Sequence, residues 1–227
     1  MSQYQPEGFS DGEWDDREDL SWNEYDWQQF LRRQQKEIAR FSNHYLKHCY
    51  DTDHLDTIAK EMGWEVGDWS AVDPDTDDET DAAREEECGD FDPYTIHRHP
   101  VFVVTAGIFA QLRFIAETLL ARGRMQTVCA KSLWNFGQAL GDGERNMLLA
   151  LQSLDMGDFM LSVIHLKYAM RSINECMRWS EALVGQADHA HEFRLESRIR
   201  LFDLREVCLR LISDCREEER RGFRDND

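Results

Sequence analysis

Residues 101–120 read VFVVTAGIFAQLRFIAETLL, and the interpretation of this run decides the fold. It is long enough to cross a bilayer, yet Gln111, Arg113 and Glu117 lie inside it, and each is costly in hydrocarbon. Its apolar residues cover most of a helix circumference, which in water requires neighbours on several sides. Pro100 suits a first helical turn, where its missing N–H costs nothing, and Gly123 suits the end. The stretch is expected to be the central helix of a bundle and not a membrane anchor.

Downstream, helix signals recur at short intervals: near 124–140 ending in Gly-Asp-Gly, 143–156 ending at Gly157, 158–184 ending at Gly185, and 188–218. Connections this short favour antiparallel neighbours. In the 158–184 segment Phe159, Val163, Leu166, Met170, Ile173 and Met177 alternate spacings of four and three, the seam of coiled-coil packing. Leu161, Ile164, Tyr168 and Trp179 fall opposite, so this helix is expected to be covered on both sides. The last segment carries Leu195, Ile199 and Phe202 on one stripe and Leu201, Leu204, Cys208, Leu211 and Cys215 on another.

The stretch ALQSLDMGDFMLSVIHLKYAM (150–170) places Ala150, Gly157, Phe159, Leu166 and Ala169 at the small and large positions of a tetratricopeptide helix–turn–helix, which it resembles. The chain has no second copy, so the resemblance implies only a tightly closed helical hairpin. β-Branched runs occur only within longer helical periods. The expected class is all-α: a multi-helix antiparallel bundle of about five helices over residues 93–218, with a C-terminal tail at 219–227.

Upstream, Ser21 with Glu24 at the capping-box position, followed by Trp27, Phe30, Leu31, Ile38, Phe41, Tyr45 and Cys49, predicts a long helix ending near Cys49. Asp53 is placed to cap a short helix with Leu55, Ile58, Ala59 and Met62 on one face and Gly63 as its stop. Residues 21–65 are thus expected to pack on the bundle. The acid-rich residues 1–20 read as a tail unable to order alone, and residues 66–92, with 12 acidic residues and one basic, as a solvated, partly flexible linker. The acidic N-terminal third is expected to contribute little to the hydrophobic interior.

The formal charge of −19 lies entirely in residues 1–92, which hold 27 Asp and Glu against 8 Lys and Arg; residues 93–227 hold 18 of each. Acidic excess opposes attraction to phosphate backbones and anionic lipid, so conventional nucleic-acid binding and membrane binding are not expected. Six cysteines lack any C-x-x-C spacing and the N-terminus carries no basic-then-apolar leader, which points to reduced thiols and a cytoplasmic location.

Several constellations qualify as sites. His44 and His48, at i,i+4, put two imidazoles on one helical face as metal sites require. His97 and His99 flank Arg98 ahead of the central helix, where an imidazole can instead cap the first turn. Arg113 and Glu117, also at i,i+4, form the expected ion pair of the apolar helix and a ligand-pocket candidate. Asp73, Asp75, Asp77, Glu79 and Asp81 imitate the front of an EF-hand loop, but Asp78 replaces its glycine and Arg84 its final glutamate. No G-x-S-x-G elbow, no G-K-[ST] phosphate loop and no helical Glu-x-x-His pair occurs, and no cofactor is expected.

Trp14, Trp22, Trp27 and Trp64 stand among acidic residues, a pairing of aromatic anchors and charge that suits a basic protein partner. The leading expectation is a non-enzymatic protein–protein interaction module. The alternatives are a metal- or small-ligand-binding bundle with a pocket near Arg113 and Glu117, a nucleic-acid mimic, and an acidic segment folded back on the arginine-rich last helix.

Overall fold

The computed structural model describes residues 22–64, 96–122, 129–183 and 188–224. The expected tail, the acidic linker, Trp14 and Ser21 lie outside those residues. The described chain forms six α-helices and no strand, an all-α multi-helix bundle. In chain order they are α1 (Glu24–His48), α2 (His54–Met62), α3 (Pro100–Arg122), α4 (Ala130–Asp155), α5 (Phe159–Ala182) and α6 (Asp188–Arg224), with a 3-10 turn at Ile96–Arg98.

The helix ends follow from local chemistry. α1 is capped by Asn23, not Ser21: the Asn23 side-chain oxygen accepts from the N–H of Tyr25 and Asp26 at 2.8 and 3.1 Å. The Asp26 carboxylate accepts in return from the Asn23 N–H, completing a capping box two residues beyond the one expected. Asp53 precedes α2 with a left-handed backbone, φ 55°, and makes no side-chain cap bond. Gly63, at φ 81°, ends α2 as the sequence predicts, letting the N–H of Trp64 reach the Ala59 carbonyl at 2.9 Å.

α3 is the centre over its first half. Val101, Val103, Val104, Ile108, Phe109 and Leu112 are buried, and α1, α4 and α6 all pack against the helix. Its second half emerges, leaving Phe114 and Leu120 exposed. α4 corrects the expectation of two helices separated at Gly-Asp-Gly. It runs unbroken from Ala130 to Asp155 because Leu133, Phe136, Leu140, Gly143, Met147, Ala150 and Leu154 keep one buried stripe through the glycines. Among the described residues from 96 onward there are therefore four α-helices, and α6 continues to Arg224, past the end expected at 218.

α4 and α5 close through Gly157, at φ 75°, and Asp158, whose carboxylate caps α5 by accepting from the Leu161 N–H at 2.9 Å. The hairpin is antiparallel: Asn146 faces His165 and, farther from the turn, the Phe136 carbonyl faces Cys176. α5 buries Val163, Leu166, Ala169, Ile173 and Cys176 against its neighbours, but Leu161, Ile164 and Tyr168 are exposed. Of the second face expected to be covered, only Trp179 packs partly against the core. On α6 Leu201, Leu204, Cys208, Leu211 and Cys215 are buried as expected, whereas Leu195 and Phe202 face out.

The front helices are structural. Phe41, Tyr45, Cys49, Leu55, Ile58, Ala59 and Met62 belong to the same hydrophobic cluster as α3–α6, and Trp64 stacks on Phe41 at 6.3 Å. This overturns the expectation of a front end adding little to the interior. Each such large side chain contributes about 1.5–3 kcal/mol on burial.

Candidate functional site

Where α1, α2, α3 and α6 meet, the apolar interior is broken by charge. Arg200 and Asp203 of α6 are 3% and 5% exposed. Isolated buried charges cost several kcal/mol each, so their partners decide the geometry. Asp203 receives the Tyr45 hydroxyl from α1 and stands 3.0 Å from His54 Nε2 at the start of α2, an ion pair lying off the hydrogen-bond line. Arg200 donates from Nε to Gln111 of α3 at 2.9 Å and from Nη1 to the carbonyl and the carboxylate of Glu196 at 2.9 and 2.6 Å. Its guanidinium also lies 5.6 Å from the Tyr45 ring centre. Glu196 in turn accepts the Tyr50 hydroxyl from the segment after α1.

The network ties the front helices to the bundle. Burial, then the Asp203 carboxylate, pushes the Tyr45 hydroxyl well above its ordinary range. The Asp203 carboxylate raises the His54 imidazole against the opposing pull of burial. Farther out, Arg210 of α6 grips Asp56 of α2 through both nitrogens and holds its carboxyl below the usual range. Sequence reasoning missed this junction, although a signal existed: Arg200 falls seven residues from both Phe193 and Val207 on the buried stripe of α6.

The predicted residues separate into other places. His44 and His48 do share a face, and both turn to one carboxylate, Glu61 of α2; His48 Nε2 is 3.3 Å from it, and His48 Nδ1 is 2.9 Å from Asp51. Burial nudges the Glu61 carboxyl up, but the two histidines outweigh it and hold it down. No group of three or more His, Cys, Asp or Glu among the described residues is placed to hold a metal ion. His99 acts as the cap foreseen for it, its Nδ1 accepting from the Val101 N–H at 3.2 Å. His97 packs edge-on against Phe102 at 4.6 Å and Phe30 at 6.3 Å, and burial lowers its pKa.

The expected Arg113–Glu117 pair is not formed. Arg113 makes a two-pronged bond to Glu144 of α4, one prong 2.9 Å long, with side chains 46% and 36% exposed, while Glu117 faces solvent. A planar guanidinium reaching across to α4 finds both carboxylate oxygens at once. On neighbouring positions of α3, Phe114, Ile115, Thr118 and Leu119 join Glu192, Phe193 and Glu196 of α6 around a cavity of about 210 Å³; Arg113, Glu117, His97 and His99 do not line it. Trp22 and Trp27 pack with Phe30 at 5.4 and 6.0 Å, yet Trp27 remains 41% exposed beside exposed Tyr25 and Leu31.

Compared with known protein families, curated proteins and solved structures, the chain matches none.

Proposed function

We propose that the chain is a non-enzymatic, cytoplasmic helical module that binds a basic protein partner through its acidic N-terminal third. The observation that carries this reading is where the charge falls relative to the helices. Residues 22–64, which span α1 and α2, hold 7 acidic and 6 basic residues, so nearly all of the −19 excess resides in the flanking stretches 1–21 and 65–92. Between those stretches, at the start of α1, Tyr25, Trp27 and Leu31 are exposed beside Glu24 and Asp26. Exposed aromatic surface framed by carboxylates suits a cationic, partly apolar partner, with the charge setting encounter rate and the rings setting dwell time.

The test is capture by the full chain along a salt gradient, beside a variant whose carboxylates in 65–92 are amides and beside Trp27→Ala. A partner released by salt, lost by the amide variant and weakened about tenfold by Trp27→Ala supports the reading. Proteins retained equally by all three, or none retained, overturn it.

The second reading, a small-ligand-binding bundle, draws on the cavity beside Phe114. At about 210 Å³ it falls short of the roughly 300–1,000 Å³ of ordinary ligand pockets, which ranks this reading second.

A further inference from the structure

His54 stands between two groups that can only accept. Its Nδ1 lies 3.1 Å from the Asp51 carbonyl oxygen, and its Nε2 lies 3.0 Å from the Asp203 carboxylate. A neutral imidazole carries one N–H and one lone pair, so in either tautomer one nitrogen would present a lone pair to an oxygen. The doubly protonated ring donates from Nδ1 to the Asp51 carbonyl and sets its positive charge against the Asp203 carboxylate, an ion pair off the hydrogen-bond line. Asp203, buried on α6, gains from the same proton, because its other contact is the neutral Tyr45 hydroxyl.

We propose that His54 is a proton-operated fastener: its imidazolium, held between Asp51 and Asp203, docks α2 on α6, and losing the proton makes α2 open more often. Of the other groups facing the ring, the carboxylates favour the positive form and Tyr45 is a neutral packing contact, while burial opposes the charge. These groups are the edge-on Tyr45 of α1 at 5.9 Å, Asp56 of α2, and Glu206 of α6; Arg210, the nearby cation, is bonded to both Asp56 and Glu206.

The direction follows from linkage. The proton is bound more tightly when α2 is docked than when His54 is in water, where it titrates near 6.5. The fastening is therefore complete below that value and is lost as pH rises through the docked-state value. Within that window the opening constant of α2 climbs by up to about tenfold per pH unit, then levels. The four apolar side chains of α2 keep it docked for most of the time throughout, so the effect is on the frequency of opening.

Hydrogen exchange of the full chain from pH 6 to 9, corrected for intrinsic rates, reads this in the segment 54–64. The expected result is a rising opening constant for α2 with flat profiles in α4 and α5, and a flat α2 profile when His54→Gln or Asp203→Asn is added to a His44→Gln, His48→Gln background, which removes the other histidine contacts of α2, those with Glu61. Ring titration of His54 by NMR in the unmodified chain decides the matter even if either variant fails to fold, since the proposal requires a pKa above 6.5. A flat α2 profile in the unmodified chain, a slope that survives His54→Gln in that background, or a ring titrating at or below 6.5 overturns it.

Discussion

Gly137 and Gly141 lie on the exposed side of α4, inside a helix that the sequence pattern alone divides at Gly-Asp-Gly. A Cβ built at either meets nothing within 4 Å, so alanine adds no clash and removes only backbone freedom from the unfolded chain. Mid-helix glycine costs about 0.8–1.0 kcal/mol relative to alanine, so Gly137→Ala with Gly141→Ala should stabilise by about 2 kcal/mol, or about 4–8 °C in Tm. Gly107→Ala should have the opposite sign. Its Cβ would stand 2.6 Å from Cδ1 and 3.0 Å from Cε1 of Phe41, a ring with no exposed surface and no room to retreat. Overpacking of about 1–3 kcal/mol then outweighs the helix gain, for a net loss near 1 kcal/mol. Urea unfolding followed by far-UV circular dichroism measures all three. If Gly141→Ala proves neutral or destabilising while Gly137→Ala stabilises, α4 is not continuous at Gly141 and the reasoning from its buried stripe fails.

The remaining predictions are briefer. Arg113→Ala should cost under about 1 kcal/mol in urea unfolding, because the bond to Glu144 is half exposed and screened by water. Removing residues 1–92 strips Phe41, Tyr45, Leu55, Ile58 and Met62 from the core, a loss of about 8–15 kcal/mol that equals the stability of an ordinary domain. The fragment from Pro93 should therefore lack a cooperative melt and bind hydrophobic dye. Among the described thiols, a water-soluble disulfide reagent should label Cys129 first: it is exposed, and the Ser132 hydroxyl lowers its pKa. Burial pushes Cys176 and Cys208 up to about 12 and Cys215 to about 11, so equal labelling of these at neutral pH would contradict the packing.

Legibility in the sequence followed periodicity and failed with partner choice. The apolar face of α2, the stops at Gly63 and Gly157 and the enclosed start of α3 all appear as spacing, because burial repeats at the helical period. Gly-Asp-Gly misled because the glycine rule and the stripe rule conflict there. Breaker chemistry sets a cost near 1 kcal/mol per residue, whereas the stripe from Leu133 to Leu154 is worth several times that. Arg113 misled for another reason: Glu117 is its neighbour along the helix, but Glu144 is its neighbour across the bundle, and only the packed structure shows the latter. The Tyr45, His54 and Asp203 junction joins residues far apart in the chain; the one local clue was charge at Arg200 on an apolar stripe.

The charge pattern also bears on whether the acidic stretches serve the fold or a partner. An arginine-rich last helix invites the idea that they fold back on it, yet α6 holds 9 acidic residues against 9 basic over 188–224 and offers no net positive field. Three of its nine arginines are already engaged close to home: Arg200 with Glu196, Arg210 with Glu206 and Asp56, Arg221 with Glu218. To pair with those three, an acidic segment would have to displace their carboxylates, exchanging one ion pair for another of similar worth, and exposed pairs are worth no more than about 1 kcal/mol. Such an exchange cannot offset ordering a stretch whose own charges repel. A partner that brings its own uncompensated cations meets no such competition, and the proposed recognition of a basic partner draws on that difference.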